Sequence, residues 1–242
     1  MKAIYLLSFP LFCLLFGCQH ATPNAAFIEK IEKQSQNIQQ FEERASLNQQ
    51  FTNEKWNHNQ QHWLLCFDQD KGLEGKRITS SEEHPSTLLR VKSQPDTTFF
   101  AENDQKWQIT THPQSQIEAV YPLTYRQFID LFKTLDSQGQ WLHTPTESTW
   151  QFQGKNKSLH SLLNTLTEKD YISDVIHTLH FSFNRKTGYL THITWQAQGT
   201  ERLSNQPLTT HFELQFSGIN QLHLPKSFAN LTPIERQEAS TL

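Results

Sequence analysis

Three alternating runs in the last third of the chain set its fold class. Val175, His177, Leu179, Phe181 and Phe183 alternate with polar residues. So do Tyr189, Ile193, Trp195 and Ala197, and then Leu208, Thr210, Phe212, Leu214 and Phe216. In an extended chain successive side chains point to opposite faces, so each run has one apolar side. Residues 184–188 turn the chain between the first two runs, and a loop at 198–207 joins the second to the third. Three such strands in succession form an antiparallel meander, and its apolar face must be buried against something.

The same period appears upstream. Phe41, Ala45, Leu47 and Phe51 share one parity, while Glu42, Arg44, Ser46, Asn48 and Gln50 share the other. Residues 52–61 read as a hairpin connection, and Trp63, Leu65 and Phe67 as a second strand. Residues 68–85, with Gly72 and Gly75, read as a long polar loop. Short strands are expected at 88–92, 98–101, 106–110 and 117–121, and another around Trp150 and Phe152.

Helical spacing marks three segments. Phe27, Ile28, Ile31 and Ile38 recur over 24–40, with Asn24 as a plausible cap. Thr124 caps a helix with Tyr125, Phe128, Ile129, Phe132 and Leu135 on one face, and Gly139 lies past its end. Ser158 is expected to cap another, with Leu159, Leu162, Leu163 and Leu166 on one face. Leu222, Leu224 and Pro225 read as a short edge segment, where proline is tolerated.

The N-terminal end carries a targeting pattern. Lys2 precedes an apolar run over 3–16, too short for a membrane-spanning helix of about 20 residues. It closes on Leu15-Phe16-Gly17-Cys18, which resembles the lipobox of a bacterial lipoprotein signal. That pattern implies residues 1–17 as a signal peptide, a lipid such as palmitate on Cys18, and 18–24 as a polar tether. Two other readings stay open: an ordinary secretory signal with a chance cysteine, and a retained anchor. Two or three acyl chains hold where one does not, since each buried methylene adds roughly 0.8 kcal/mol.

After the tether, residues 25–230 suit one large domain, with 231–242 as a flexible tail. The 17 Phe, 6 Trp and 5 Tyr can build its core. The formal charge is −3, and −4 once Lys2 leaves with the signal. With no basic run, nucleic acid is not an expected partner. Of three cysteines, Cys13 lies in the signal and Cys18 takes the lipid, so Cys66 has no disulfide partner. It sits in Trp63-Leu64-Leu65-Cys66-Phe67 and reads as a packed, inert thiol.

The order of these elements is lipobox, amphipathic helix, long antiparallel strands, helical insert, and a meander ending in Leu222-His223-Leu224-Pro225-Lys226. It resembles the LolA/LolB/LppX-like lipoprotein-carrier superfamily, including its uncharacterised Gram-positive members. That resemblance covers about residues 24–230 as a pattern of elements, and no ligand motif matches residue by residue. It implies an α+β fold, a curved antiparallel sheet forming an open half-barrel, with helices packed on the concave face. It also implies that the space between sheet and helices can admit acyl chains.

The functional expectation is a membrane-anchored, non-enzymatic lipoprotein of the cell envelope that binds a lipid or other apolar ligand. It would be exported and held at the outer face of the cell membrane, or at the outer membrane of a Gram-negative cell. Tyr125, Phe128, Phe132, Phe181, Trp195 and Phe212 are the candidate pocket residues, although an aromatic stripe of this kind is more often filled core than pocket wall. The alternative is a surface scaffold that binds an envelope protein, for instance through the 68–85 loop. A weaker alternative makes residues 11–17 of the signal the source of a peptide pheromone. There is no G-x-S-x-G, H-E-x-x-H, P-loop or dinucleotide turn, and no cofactor is expected. His180, His192 and His211 fall on the outward parity of the meander. With Phe183 opposite Tyr189, His180 would face His192 with His211 near by, an outside chance of a zinc or copper site.

Overall fold

A computed structural model describes residues 24–52, 58–81, 84–172 and 174–221. The signal, Cys18, the tether up to residue 23, the edge segment at Leu222–Pro225 and the tail lie outside the described residues. So does the proposed pheromone stretch.

The twelve residues of β1 (Gln40–Phe51) alternate between inward and outward positions along their whole length. This strand lies at the middle of the sheet. On one side run β2 (His58–Asp68), β3 (Gly72–Ser81), β4 (Thr87–Gln94), β5 (Thr97–Glu102) and β6 (Gln108–Ile109). On the other run β11 (Pro207–Ser217), β10 (Leu190–Thr200), β9 (Ile176–Asn184), β8 (Glu147–Gly154) and β7 (Gln140–His143). All neighbours are antiparallel. The outermost strands β6 and β7 do not pair with each other, so the sheet stays open. Both are short, which limits what the free edges offer to another chain. The architecture is α+β, an open curved antiparallel sheet with helices on its apolar face.

Among the described residues four α-helices accompany the sheet: α1 (Ala25–Ser35), α2 (Pro113–Val120), α3 (Tyr125–Leu135) and α4 (Lys157–Thr167). Helix α3 begins with a reciprocal cap. Thr124 Oγ1 accepts the Gln127 N–H, and the Gln127 side chain accepts the Thr124 N–H. Its inward stripe is Tyr125, Phe128, Ile129, Phe132 and Leu135, as the spacing predicts. Each such buried side chain contributes about 1.5–3 kcal/mol of transfer free energy. Helix α1 lies beside α3, where Lys133 meets Glu32 at 2.9 Å and Phe27 stands edge-on to Trp141 and Phe183.

Three local expectations are corrected. Residues 68–85 are not a loop: Asp68 Oδ1 accepts the N–H groups of Asp70 and Lys71, Gly72 takes φ +97°, and β3 follows at once. The inward positions of β3 include Gly75, Arg77 and Thr79, so no apolar alternation marks it; the ladders to β2 and β4 hold it. Residues 117–121 are not a strand but the C-terminal half of α2 and its cap. Pro113 sits at the start of that helix, and Ile117, Val120 and Tyr121 follow the i, i+3, i+4 rule. The cap of α4 is Asn156 rather than Ser158; its Oδ1 accepts from the backbone of Ser158 and Leu159. Strand β7 was not expected at all. It follows Gly139, where a Cβ would lie 2.2 Å from the Trp150 ring, so only glycine lets the chain pass there.

Candidate functional site

The inward face of the sheet and the stripe of α3 meet in one aromatic layer. Phe128 stacks over Phe212 with centroids 6.2 Å apart, and Tyr125 stands edge-on to Phe216 at 4.7 Å. Phe132 packs against Phe181, Phe183 and Trp150 at 6.0, 5.0 and 5.7 Å. Trp195 of β10 lies directly opposite Phe212 of β11. The six candidate pocket residues, Tyr125, Phe128, Phe132, Phe181, Trp195 and Phe212, therefore all belong to this buried layer.

Helix α2 covers the neighbouring strands. The Trp63 indole donates to the Ala119 carbonyl at 3.2 Å. A Cβ on Gly75 would stand 2.9 Å from Val120 Cγ2, so the bare glycine lets α2 approach β3 closely. At the joint with α3, the Tyr121 hydroxyl oxygen accepts the Tyr125 N–H at 2.9 Å. Tyr125 in turn accepts the Leu190 N–H at 2.6 Å. Burial pushes both phenols above their usual range.

Two polar side chains occupy the inward row of β1. Glu43 lies between Phe41 and Ala45, opposite Leu65 on β2 and Phe216 on β11. It is 2% exposed, and its Oε2 has no hydrogen-bond partner. Desolvation raises its pKa well above the ordinary carboxylate range. Gln49 is equally buried; Asn59 donates to its Oε1, while its Nε2 is unpartnered. Both escaped the sequence reading, because Phe41, Ala45, Leu47 and Phe51 dominate that parity. The signal was the parity itself: Glu43 and Gln49 share it.

Another buried polar side chain lies on β9. His177 is fully buried on β9. Its Nδ1 accepts from the Trp195 indole at 3.2 Å, so the neutral ring carries its proton on Nε2, which is unpartnered. Desolvation, then the nearby His160, pushes its pKa down to about 4. Further along, the Tyr171 hydroxyl bonds to that of Thr210.

The outward histidines are not gathered as expected. The ladder between β9 and β10 shifts between Leu190 and His192, so Thr194 faces His180 while His192 faces Ser182. His192 pairs with Glu213 at 3.0 Å, and His211 lies opposite Gln196. Among the described residues, no three His, Cys, Asp or Glu side chains converge to hold a metal ion.

Cys66 lies on the outer face of β2, half-buried, where Leu65 and not the thiol points inward. Burial, with Glu42 and Glu74 beside it, raises its pKa to about 11, so the thiol stays protonated. It borders a cleft of about 650 Å³ at the β2–β3 turn, lined in part by Asp68, Lys71, Glu74, Lys92 and Asp96.

No protein-family model matches the chain, and no curated protein matches its sequence. Solved structures do resemble it in outline. LprF from Mycobacterium bovis aligns over 84% of this chain and 95% of its own at 6% identity, with a TM-score of 0.42. The LolA superfamily protein NE2245 from Nitrosomonas europaea aligns over 83% and 94% at 7% identity, with a TM-score of 0.27. The MucA/MucB complex of Pseudomonas aeruginosa aligns over 86% of this chain and 60% of that chain at 7% identity, with a TM-score of 0.29. At these identities no residue correspondence is carried over from them. No helix among the described residues is long and apolar enough to cross a membrane.

Proposed function

We propose that this chain is an exported lipoprotein, anchored through Cys18, that binds a lipid or other apolar ligand between the sheet and the α2–α3 cover. The observation that carries this reading is how the cover meets the sheet. Along the Tyr125, Phe128, Phe132 stripe it does so through rings rather than backbone ladders. A hydrocarbon chain entering there replaces ring contacts with contacts of the same kind. Among the described residues the polar ties it must accommodate include Trp63 to Ala119, Leu190 to Tyr125 and Trp150 to Asp136. No catalytic chemistry is required of such a protein.

The test is native mass spectrometry of the full chain carrying Cys18→Ser, extracted gently from a bacterium. An added mass that organic solvent removes, and that proves to be a lipid, supports the reading. A bare mass, with no gain on incubation with mixed lipids, overturns it. The second reading is docking of an envelope protein, and the charged cleft at the β2–β3 turn favours that alternative.

A further inference from the structure

Glu43 is an anomaly in the interior. A buried carboxyl with an unpaired oxygen carries a desolvation penalty that folding alone does not return. Apolar residues surround it in the sheet: Phe41 and Ala45 along β1, Leu65 and Phe216 across. Phe41 itself stacks on Phe67 at 5.2 Å and meets Tyr121 and Tyr125 at 6.2 and 6.0 Å. No cation sits among these neighbours.

Tyr121 adds a second polar group to the same buried layer. Its hydroxyl oxygen is engaged by the Tyr125 N–H, which leaves the phenolic proton available for donation. Phe41 links the two: it is next but one to Glu43 on the inward row of β1, and its ring lies 6.2 Å from that of Tyr121. A neutral carboxyl supplies one donor and an acceptor oxygen, so the pair offers two donors and an acceptor under the α2–α3 joint.

We infer that Glu43 and Tyr121 form the seat for the head of the bound ligand, and that this head is uncharged and oxygen-bearing, such as the ester or free hydroxyl of an acylglycerol. The inference rests on the reading that the ligand lies between sheet and cover. A phosphate or carboxylate head would be desolvated there without a counter-charge. The hydrocarbon tail would run from Phe216 along Phe212 and Phe128, the line α3 already follows.

The test uses the full chain carrying Cys18→Ser, titrated with monooleoylglycerol, oleate, oleylamine and hexadecane and followed by tryptophan fluorescence. Monooleoylglycerol should bind tightest. Glu43→Leu should narrow its preference over hexadecane by about tenfold, the equivalent of one hydrogen bond. Glu43→Gln, which still donates and accepts, should keep most of that preference. In infrared difference spectra, the band of the protonated carboxyl should shift when monooleoylglycerol binds, and Glu43→Gln should lack that band. Oleate or oleylamine binding tighter than monooleoylglycerol overturns the uncharged head. Equal preference in wild type and Glu43→Leu, or an unmoved carboxyl band, overturns the seat while leaving the apolar site standing. Failure of all four probes to bind overturns both.

Discussion

The hydroxyl of Tyr125 accepts the backbone N–H of Leu190 at 2.6 Å, at the point where the β9–β10 register slips. One bond thus fixes the start of α3 to the irregular end of a strand. Tyr125→Phe would leave a buried N–H unpaired and should lower stability by about 1–3 kcal/mol in urea unfolding. The Leu190 amide should exchange its hydrogen markedly faster. An unchanged exchange rate would mean that the bond does not hold the cover.

Glu43 makes stability fall with rising pH. Its folded pKa is raised, so above the usual value of about 4.5 the unfolded chain releases a proton that the folded chain keeps. Tyr121 and Tyr125, whose rings meet the neighbouring Phe41, are both held neutral by burial. Urea midpoints of wild type and Glu43→Gln should lie closest below pH 4.5, with the variant gaining relative to wild type as pH rises. Parallel profiles would contradict an unpaired buried acid.

His177 acts in the opposite sense. Its folded pKa of about 4 lies below its ordinary value of 6.5, so between these values the unfolded state binds the extra proton. The stability it contributes is present above pH 6.5 and lost as pH falls toward 4. With partial solvent screening the full span is about 1–3 kcal/mol. His177→Gln should flatten this window, as read from urea midpoints at several pH values.

Gly75→Ala sets a methyl against Val120 and Leu65 at 2.9 and 3.0 Å. Overpacking of this kind costs about 1–3 kcal/mol. Val120→Ala in the same chain should recover part of the loss. A double-mutant cycle with no coupling would mean that α2 does not bear on β3 there.

The anchor has its own test. Palmitate labelling of the expressing cells should mark the wild-type chain and not Cys18→Ser. The variant should also leave the membrane fraction on washing.

The meander and α3 were legible because one periodicity and one capping pair each dominate their stretch. Strand β3 was not, since Gly75, Arg77 and Thr79 fill its inward positions and neighbouring ladders decide its conformation. Helix α2 was missed because it is only eight residues long and was read at the wrong period. The histidine pairing failed for a different reason. Parity gives the face of a strand but not its register: Phe183 pairs with Leu190 rather than Tyr189, and the shift before His192 moves every later partner once more. The aromatic layer was read from spacing. Glu43 was overlooked because a polar residue inside an apolar parity looks like noise until burial is known.

The pairing of β1 with β11 joins Glu42 to Ser217 across 175 residues of chain. Each half of the sheet is built from near neighbours, β1 to β6 in one and β7 to β11 in the other, and can zip locally. The midline cannot, because loop closure over that distance is slow and its last strand is the last to be made. Until β11 is made, β1 is paired on its β2 side alone and its other edge stays open. The central seam closes only once β11 is available, and a truncation that removed β11 would leave two half-sheets rather than a shortened protein.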